Sequence, residues 1–190
     1  MDEDDSQRGA GRIVLLNGAS SSGKTTLAKA LQDRLDTPFL HVSSDQLVAM
    51  IPAHREPSGP FAWWTDMRPK FFAGFHRCVP ALASAGNDLI VDHTIEFPAW
   101  RDELASLLHG FDVFLVGVHC DLDEIDRRER RRGDRTPGEG RTHVEHDGIH
   151  TFGPYDLEID TTTTEPSSLA TTVLDAWNRR PTSSALTRRT

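Results

Sequence analysis

Residues 18 to 25, Gly-Ala-Ser-Ser-Ser-Gly-Lys-Thr, set six small residues ahead of one lysine and one threonine. They satisfy the pattern G-x-x-x-x-G-K-[ST]. Small residues let consecutive backbone N–H groups curl around an anion, and Gly18 and Gly23 can take angles that a Cβ forbids. Lys24 supplies a cation for β- and γ-phosphate oxygens, and the Thr25 hydroxyl is a hard oxygen suited to Mg2+. Gly18, Ala19, Ser20, Ser21, Ser22, Gly23, Lys24, Thr25 and Thr26 are therefore the candidate triphosphate site, with ATP and Mg2+ as the implied cofactors. A flexible Gly/Ser loop matching by accident is the alternative. The flanks oppose it, because the apolar run Ile13–Asn17 precedes the loop and Leu27, Leu31 and Leu35 follow at helical spacing.

In an open α/β sheet, ligands bind beyond the carboxyl ends of the strands, so acids just past each apolar run are the next candidates. Four qualify: Asp45, Asp92, Asp121 and Asp160. Asp92 closes the run "LIVD", where a buried carboxylate needs a partner; a Mg2+-bound water beside Thr25 is the natural one, making Thr25 and Asp92 the metal residues, with a purely structural hydrogen bond as the alternative. Asp45, in "VSSD", stands where a carboxylate would accept or orient the proton of an attacking hydroxyl. Alternatively, Ser44 or Asp45 simply caps the helix that follows. Asp121 reads as the N-cap of "LDEIDRRERRR".

Residues 126 to 135, "DRRERRRGDR", are the one concentrated basic stretch in a chain of net charge −8. On a helix Arg128 and Arg132 fall one turn apart, and Gly133 ends the helix so that Arg135 turns back. The stretch reads as a lid whose guanidinium groups neutralise a transferring phosphoryl group, with Arg132 and Arg135 catalytic and Arg128 on the nucleotide. Its alternative is a solvated face in which Asp126, Glu129 and Asp134 balance the arginines. His143, His146 and His150 match no complete zinc set, and read instead as histidines packed beside the site. In the aromatic stretch 57–75, Phe71, Phe72 and Phe75 have core spacing, which leaves Trp63 and Trp64 for a pocket that takes a small, partly apolar acceptor.

These residues need a scaffold. Apolar runs at Ile13–Asn17, Phe39–Ser43, Leu89–Asp92, Val113–Cys120 and Leu157–Asp160 read as strands, and the segments between them carry three- and four-residue periodicity. Strand and helix alternate, which predicts a five-stranded parallel sheet with helices on both faces: an α/β three-layer sandwich of the P-loop NTPase type. One domain spans 12–180, between a disordered acidic stretch at 1–11 and a disordered tail at 181–190. The negative charge argues against nucleic acid, and no apolar run is long enough for a membrane span. Two cysteines far apart fit a reducing compartment, the cytoplasm.

With these residues in view, the chain resembles the chloramphenicol phosphotransferase family of P-loop small-molecule kinases, from about residue 13 to 175. "LNGASSSGKT", "SSDQLVAMIP", "LIVDHTI", "VGVHCDLDEIDRRERRRGDR" and "YDLEIDTTTTEP" carry the likeness. The resemblance implies ATP-dependent phosphorylation of a hydroxyl on a small molecule, with Asp45 as the base and Lys24 and Thr25 in the phosphate loop. Thr161 and Thr162 would then lie near the adenine. In two places the chain departs from the family pattern: Asp92 is followed by His93 where the family has paired acids, and residues 53–75 match poorly. A chloramphenicol-like antibiotic is the leading acceptor, ahead of a metabolite such as a sugar, nucleoside or shikimate-type compound. A nucleotide-dependent binding switch is a third expectation, weakened in its GTP form because no N-K-x-D occurs.

Overall fold

The computed structural model describes residues 9–51, 62–132, 137–181 and 183–188. Among them lie the strands β1 (Ile13–Asn17), β2 (Phe39–Ser43), β3 (Asp88–His93), β4 (Val113–His119) and β5 (Leu157–Asp160). The helices are α1 (Lys24–Gln32), α2 (Ser44–Val48), α3 (Ala62–Ser84), α4 (Pro98–Leu107), α5 (Leu122–Arg132), α6 (Glu139–Glu145) and α7 (Pro166–Asn178). Every strand pair is parallel, in the order β2-β3-β1-β4-β5.

Side chains alternate across a strand, so β1 feeds two cores. Ile13 and Leu15 meet Leu89 and Val91, with Phe75 and Val79 of α3 and Leu104 of α4 above them. Val14 and Leu16 meet Ile90 and Val116, covered by Leu27 and Leu31 of α1 and Val173 of α7. Burial on both faces explains why the strands read as unbroken apolar runs. The result is the expected three-layer α/β sandwich.

Local boundaries differ in instructive ways. β3 starts one residue early because Asp88 accepts the Arg12 backbone N–H at 2.7 Å and pairs with the Arg12 guanidinium. It also runs on through His93. The cap of α2 is Ser43, not Ser44 or Asp45: Ser43 Oγ accepts from Asp45 N at 3.2 Å while Gln46 Oε1 accepts from Ser43 N at 3.0 Å. Asp121 does cap α5, accepting from Asp123 N at 2.9 Å.

Within the stretch 181–190, expected to fray, residues 183–188 pack instead. Ala185 and Leu186 are buried, and Asp156 accepts hydrogen bonds from Ala185 N at 2.7 Å and Ser184 Oγ at 2.9 Å. No helix among the described residues is long and apolar enough to cross a membrane.

Candidate active site

The turn between β1 and α1 closes on itself for steric reasons. Gly18 lies so close under β4 that a Cβ would come within 2.4 Å of the Val118 carbonyl oxygen. Ser21 (φ 60°) and Gly23 (φ 96°) both take left-handed angles, which turn the chain into a bowl. Lys24 Nζ lies inside it, donating to the carbonyls of Gly18 at 2.9 Å and Ala19 at 2.7 Å, and it stands 3.9 Å from Asp92. The Ser21 and Ser22 hydroxyl oxygens are buried without a protein partner, as suits a cradle built for an anion.

β3 delivers Asp92 to the same place. Its carboxylate accepts the Thr25 hydroxyl at 2.6 Å and lies 3.6 Å from His41 Nε2. Burial opposes ionisation of Asp92, but Lys24, His41 and Thr25 outweigh it and hold its pKa below the ordinary value. A hydroxyl and an ionised carboxylate beside a phosphate bowl form the donor set a hard cation takes, so Thr25 and Asp92 fit Mg2+. Asp45, exposed on α2, lines the same cleft of about 900 Å³ as Lys24, Thr25 and Asp92.

The far side of the loop is tied to β5 and α5 by Thr161. Its Oγ1 donates to the Ser22 carbonyl at 2.6 Å, and Arg128 donates to Thr161 Oγ1 at 3.1 Å and Thr161 O at 2.7 Å. Thr162 Oγ1 accepts from Asp121 N at 2.8 Å. Arg128 is also held by Glu124 at 2.7 Å, and the Arg127 and Arg128 bonds bring the Glu124 carboxyl down to about 2. Arg132 and Thr26 line the cleft as well. Arg135 lies outside the described residues. Asp160 turns aside to accept from Thr162 N at 2.7 Å.

α6 shapes the tip of the phosphate loop and brings His143 beside the site, as expected of that histidine. His143 Nδ1 accepts the Ser20 N–H at 3.2 Å, and Ser20 Oγ donates to Glu139 at 3.3 Å. Glu129 is no surface counter-charge: it is 3% exposed and accepts from the backbone N–H groups of Gly138 and Gly140, each at 2.8 Å, joining α5 to α6. On the cleft wall Phe72, not Trp64, is the lining residue, and Trp64 packs on Phe71 with ring centroids 5.4 Å apart. The Trp63 side chain lies outside the described residues. Glu96 and His93 complete that wall. Burial pushes the Glu96 carboxyl up, against the pull of Arg68. These wall residues follow no motif; the nearest signal is that His93 ends β3 and Glu96 follows three residues later.

A nucleotide bowl, a strand-end acid and a basic helix at one end of a parallel sheet define a P-loop phosphotransferase of the kinase type. A family model of chloramphenicol phosphotransferase-like proteins matches residues 11–178, and the chain belongs to that family. It is 30% identical over 191 residues to a Mycobacterium tuberculosis H37Rv protein named "Putative O-phosphotransferase Rv2636", covering 90% of this chain and 84% of that one. Among solved structures, the M. tuberculosis APS kinase CysC in complex with AMPPNP and APS superposes with a TM-score of 0.64 at 20% identity, over 89% of this chain and 98% of that one. The Deinococcus radiodurans tunicamycin resistance protein gives 0.61 at 18%, over 88% and 96%. At such identities the two structures speak for the fold.

Proposed function

We propose that this chain transfers the γ-phosphoryl group of Mg·ATP to a hydroxyl of a small molecule, with a chloramphenicol-like antibiotic as the leading acceptor. The observation that carries this reading is that Asp45 faces one cleft with Lys24 and the Thr25–Asp92 pair. Residues 18–26 hold the triphosphate, and Thr161, Thr162 and Arg128 hold the nucleoside end. Thr25 and Asp92 hold Mg2+, which when bound offsets charge on the phosphate oxygens. Asp45 takes the hydroxyl proton as the acceptor oxygen forms its bond to phosphorus and the bond to the β-phosphate oxygen breaks, releasing ADP. Lys24, Arg132 and Arg135 stabilise the transferring group. Two free cysteines and ATP as donor suit the cytoplasm. A sugar-like metabolite is the second reading, favoured by the polar wall of Glu96, Glu139 and His143.

The test is acceptor-dependent ADP release and a phosphorylated product from purified protein, Mg·ATP and a panel of alcohols. Asp45→Asn should lower kcat by about 10²- to 10⁴-fold while ATP still binds. Full turnover in that variant removes the role of Asp45, and silence across the whole panel removes the activity.

A further inference from the structure

Two groups on the cleft wall have no part in the transfer just described. Glu96, between β3 and α4, accepts a hydrogen bond from Arg68 of α3 on Oε2 and turns Oε1 toward His143 of α6. His143 is 8% exposed, and its Nδ1 receives the Ser20 N–H. Nδ1 therefore carries a lone pair, and in a neutral ring the proton sits on Nε2. Burial keeps the ring neutral by bringing its pKa down to about 4. Among the described residues Nε2–H has no acceptor: Glu96 Oε1 lies 3.9 Å away, beyond hydrogen-bond reach. A ring N–H and a carboxylate oxygen thus stand side by side across a gap on the wall of the cleft, both open to a ligand there.

Asp147 brings a third oxygen into the group, and the ligand-type atoms of Glu96, His143 and Asp147 all lie within 4.8 Å of one another, as a divalent cation would need. The tautomer opposes that occupant. A metal requires the lone pair on Nε2, which would move the proton to Nδ1 and against the Ser20 N–H. An ammonium group would satisfy the carboxylate and leave Nε2–H unpaired; a carboxylate would do the reverse. A hydroxyl satisfies both: at about 2.8 Å from each atom its oxygen accepts from Nε2–H while its proton goes to Oε1.

Since Asp45 already engages the hydroxyl that reacts, we propose that Glu96 and His143 recognise a second hydroxyl, so that the acceptor is a diol or polyol. This rests on the phosphotransfer reading above. His143 is here a specificity-determining residue, and its bond to Ser20 couples a correctly seated acceptor to the phosphate loop.

The experiment has two arms. In the first, each alcohol that turns over is compared with its analogue lacking one non-reacting hydroxyl, beginning with chloramphenicol and its 1-deoxy form. Wild type should favour the diol by about tenfold or more in kcat/KM. His143→Asn offers an oxygen to the Ser20 N–H but lacks Nε2–H, and there the preference should collapse toward unity through KM. An undiminished preference in the variant, or none in wild type, overturns the proposal and leaves the gap to water.

The second arm needs no turnover and so separates failure here from failure of the kinase reading. In ring-nitrogen NMR of wild-type protein with Mg·AMPPNP, His143 should show a bare Nδ1 and a protonated Nε2, and glycerol but not 1-propanol should shift the Nε2–H signal. The opposite tautomer, equal response to both alcohols, or stoichiometric loss of Nε2–H on adding Zn2+ each overturns it, the last in favour of a metal centre.

Discussion

The Thr25 hydroxyl stands 2.6 Å from Asp92 Oδ2, joining the first turn of α1 to the end of β3 and to the ammonium of Lys24, 3.9 Å from the same carboxylate. The carboxylate is 5% exposed, so its charge acts in a poorly screened setting. Asp92→Asn keeps the shape and removes the charge. The expected outcome is a folded protein whose kcat falls by about 10²- to 10³-fold and whose ATP affinity no longer rises with Mg2+. Calorimetric titration of ATP with and without Mg2+ checks this. Equal Mg2+ enhancement in both proteins would remove Asp92 from the metal site.

Gly140 marks how tightly α6 rests on the phosphate loop. A Cβ there would sit 2.5 Å from both the Ser20 carbonyl oxygen and Ile125 Cγ2. The backbone oxygen cannot swing away, so in Gly140→Ala the helix must retreat and weaken the His143 and Glu139 bonds to Ser20. ATP affinity should fall by about 5- to 30-fold, the equivalent of ~1–2 kcal/mol of overpacking. Gly74→Ala is the control: its Cβ meets nothing within 4 Å in the middle of α3, and it should stabilise the fold by about 0.5–1 kcal/mol. Fluorescent-nucleotide titration and thermal melts separate the two. Unchanged nucleotide affinity in Gly140→Ala would mean that α6 does not shape the loop.

What the sequence reveals and conceals about this site divides along chain distance. The phosphate loop, Asp92 and the α5 cap are legible because each is a local pattern of a few residues fixed to one strand end. The five strands are legible because burial on both faces leaves unbroken apolar runs. The wall is only partly so: His143 reads as packed beside the site, but Glu96 and Glu139 reach the cleft from the β3–α4 turn and α6, and nothing in their spacing announces that they converge there. Glu129 misleads for the same reason, since a charge inside "RRERRR" reads as surface until the N–H groups of Gly138 and Gly140 are seen to need it. Trp64 misleads by size: it packs on Phe71, and the smaller Phe72 faces the cleft.

The C-terminal segment gives a prediction about stability alone. The Asp156 side chain is 2% exposed and accepts from Leu115 N at 2.8 Å, Ser184 Oγ at 2.9 Å and Ala185 N at 2.7 Å. Asp156→Ala strands those donors, a cost of about 2–4 kcal/mol. For a domain of this size the melting temperature should drop by roughly 4–16 °C. Deleting residues 183–190 should cost less in the Asp156→Ala background than in wild type, because both changes remove the same contacts. Full additivity in melting experiments would show that the segment does not anchor on Asp156.

Buried histidines set the acid limit of the fold. Burial is the main cause in each: His143 and His150 are brought down to about 4, and His76 and His93 are lowered too. An unfolded chain takes up protons near pH 6.5, while these rings stay neutral in the native state. The unfolded state thus binds more protons between roughly pH 6.5 and 4, and stability must fall as pH falls through that window. For His143 the loss is roughly 3 kcal/mol across the window. Carboxylates cannot mimic this, because Asp88 and Asp92 are held below their usual range and lose their contribution only at lower pH. The melting temperature should therefore hold steady above pH 7 and decline steadily from about pH 6.5. A flat profile down to pH 4.5 would mean that the folded protein protonates these rings, and with that the neutral His143 whose bare Nδ1 accepts the Ser20 N–H and whose Nε2–H donates to the second hydroxyl would be lost.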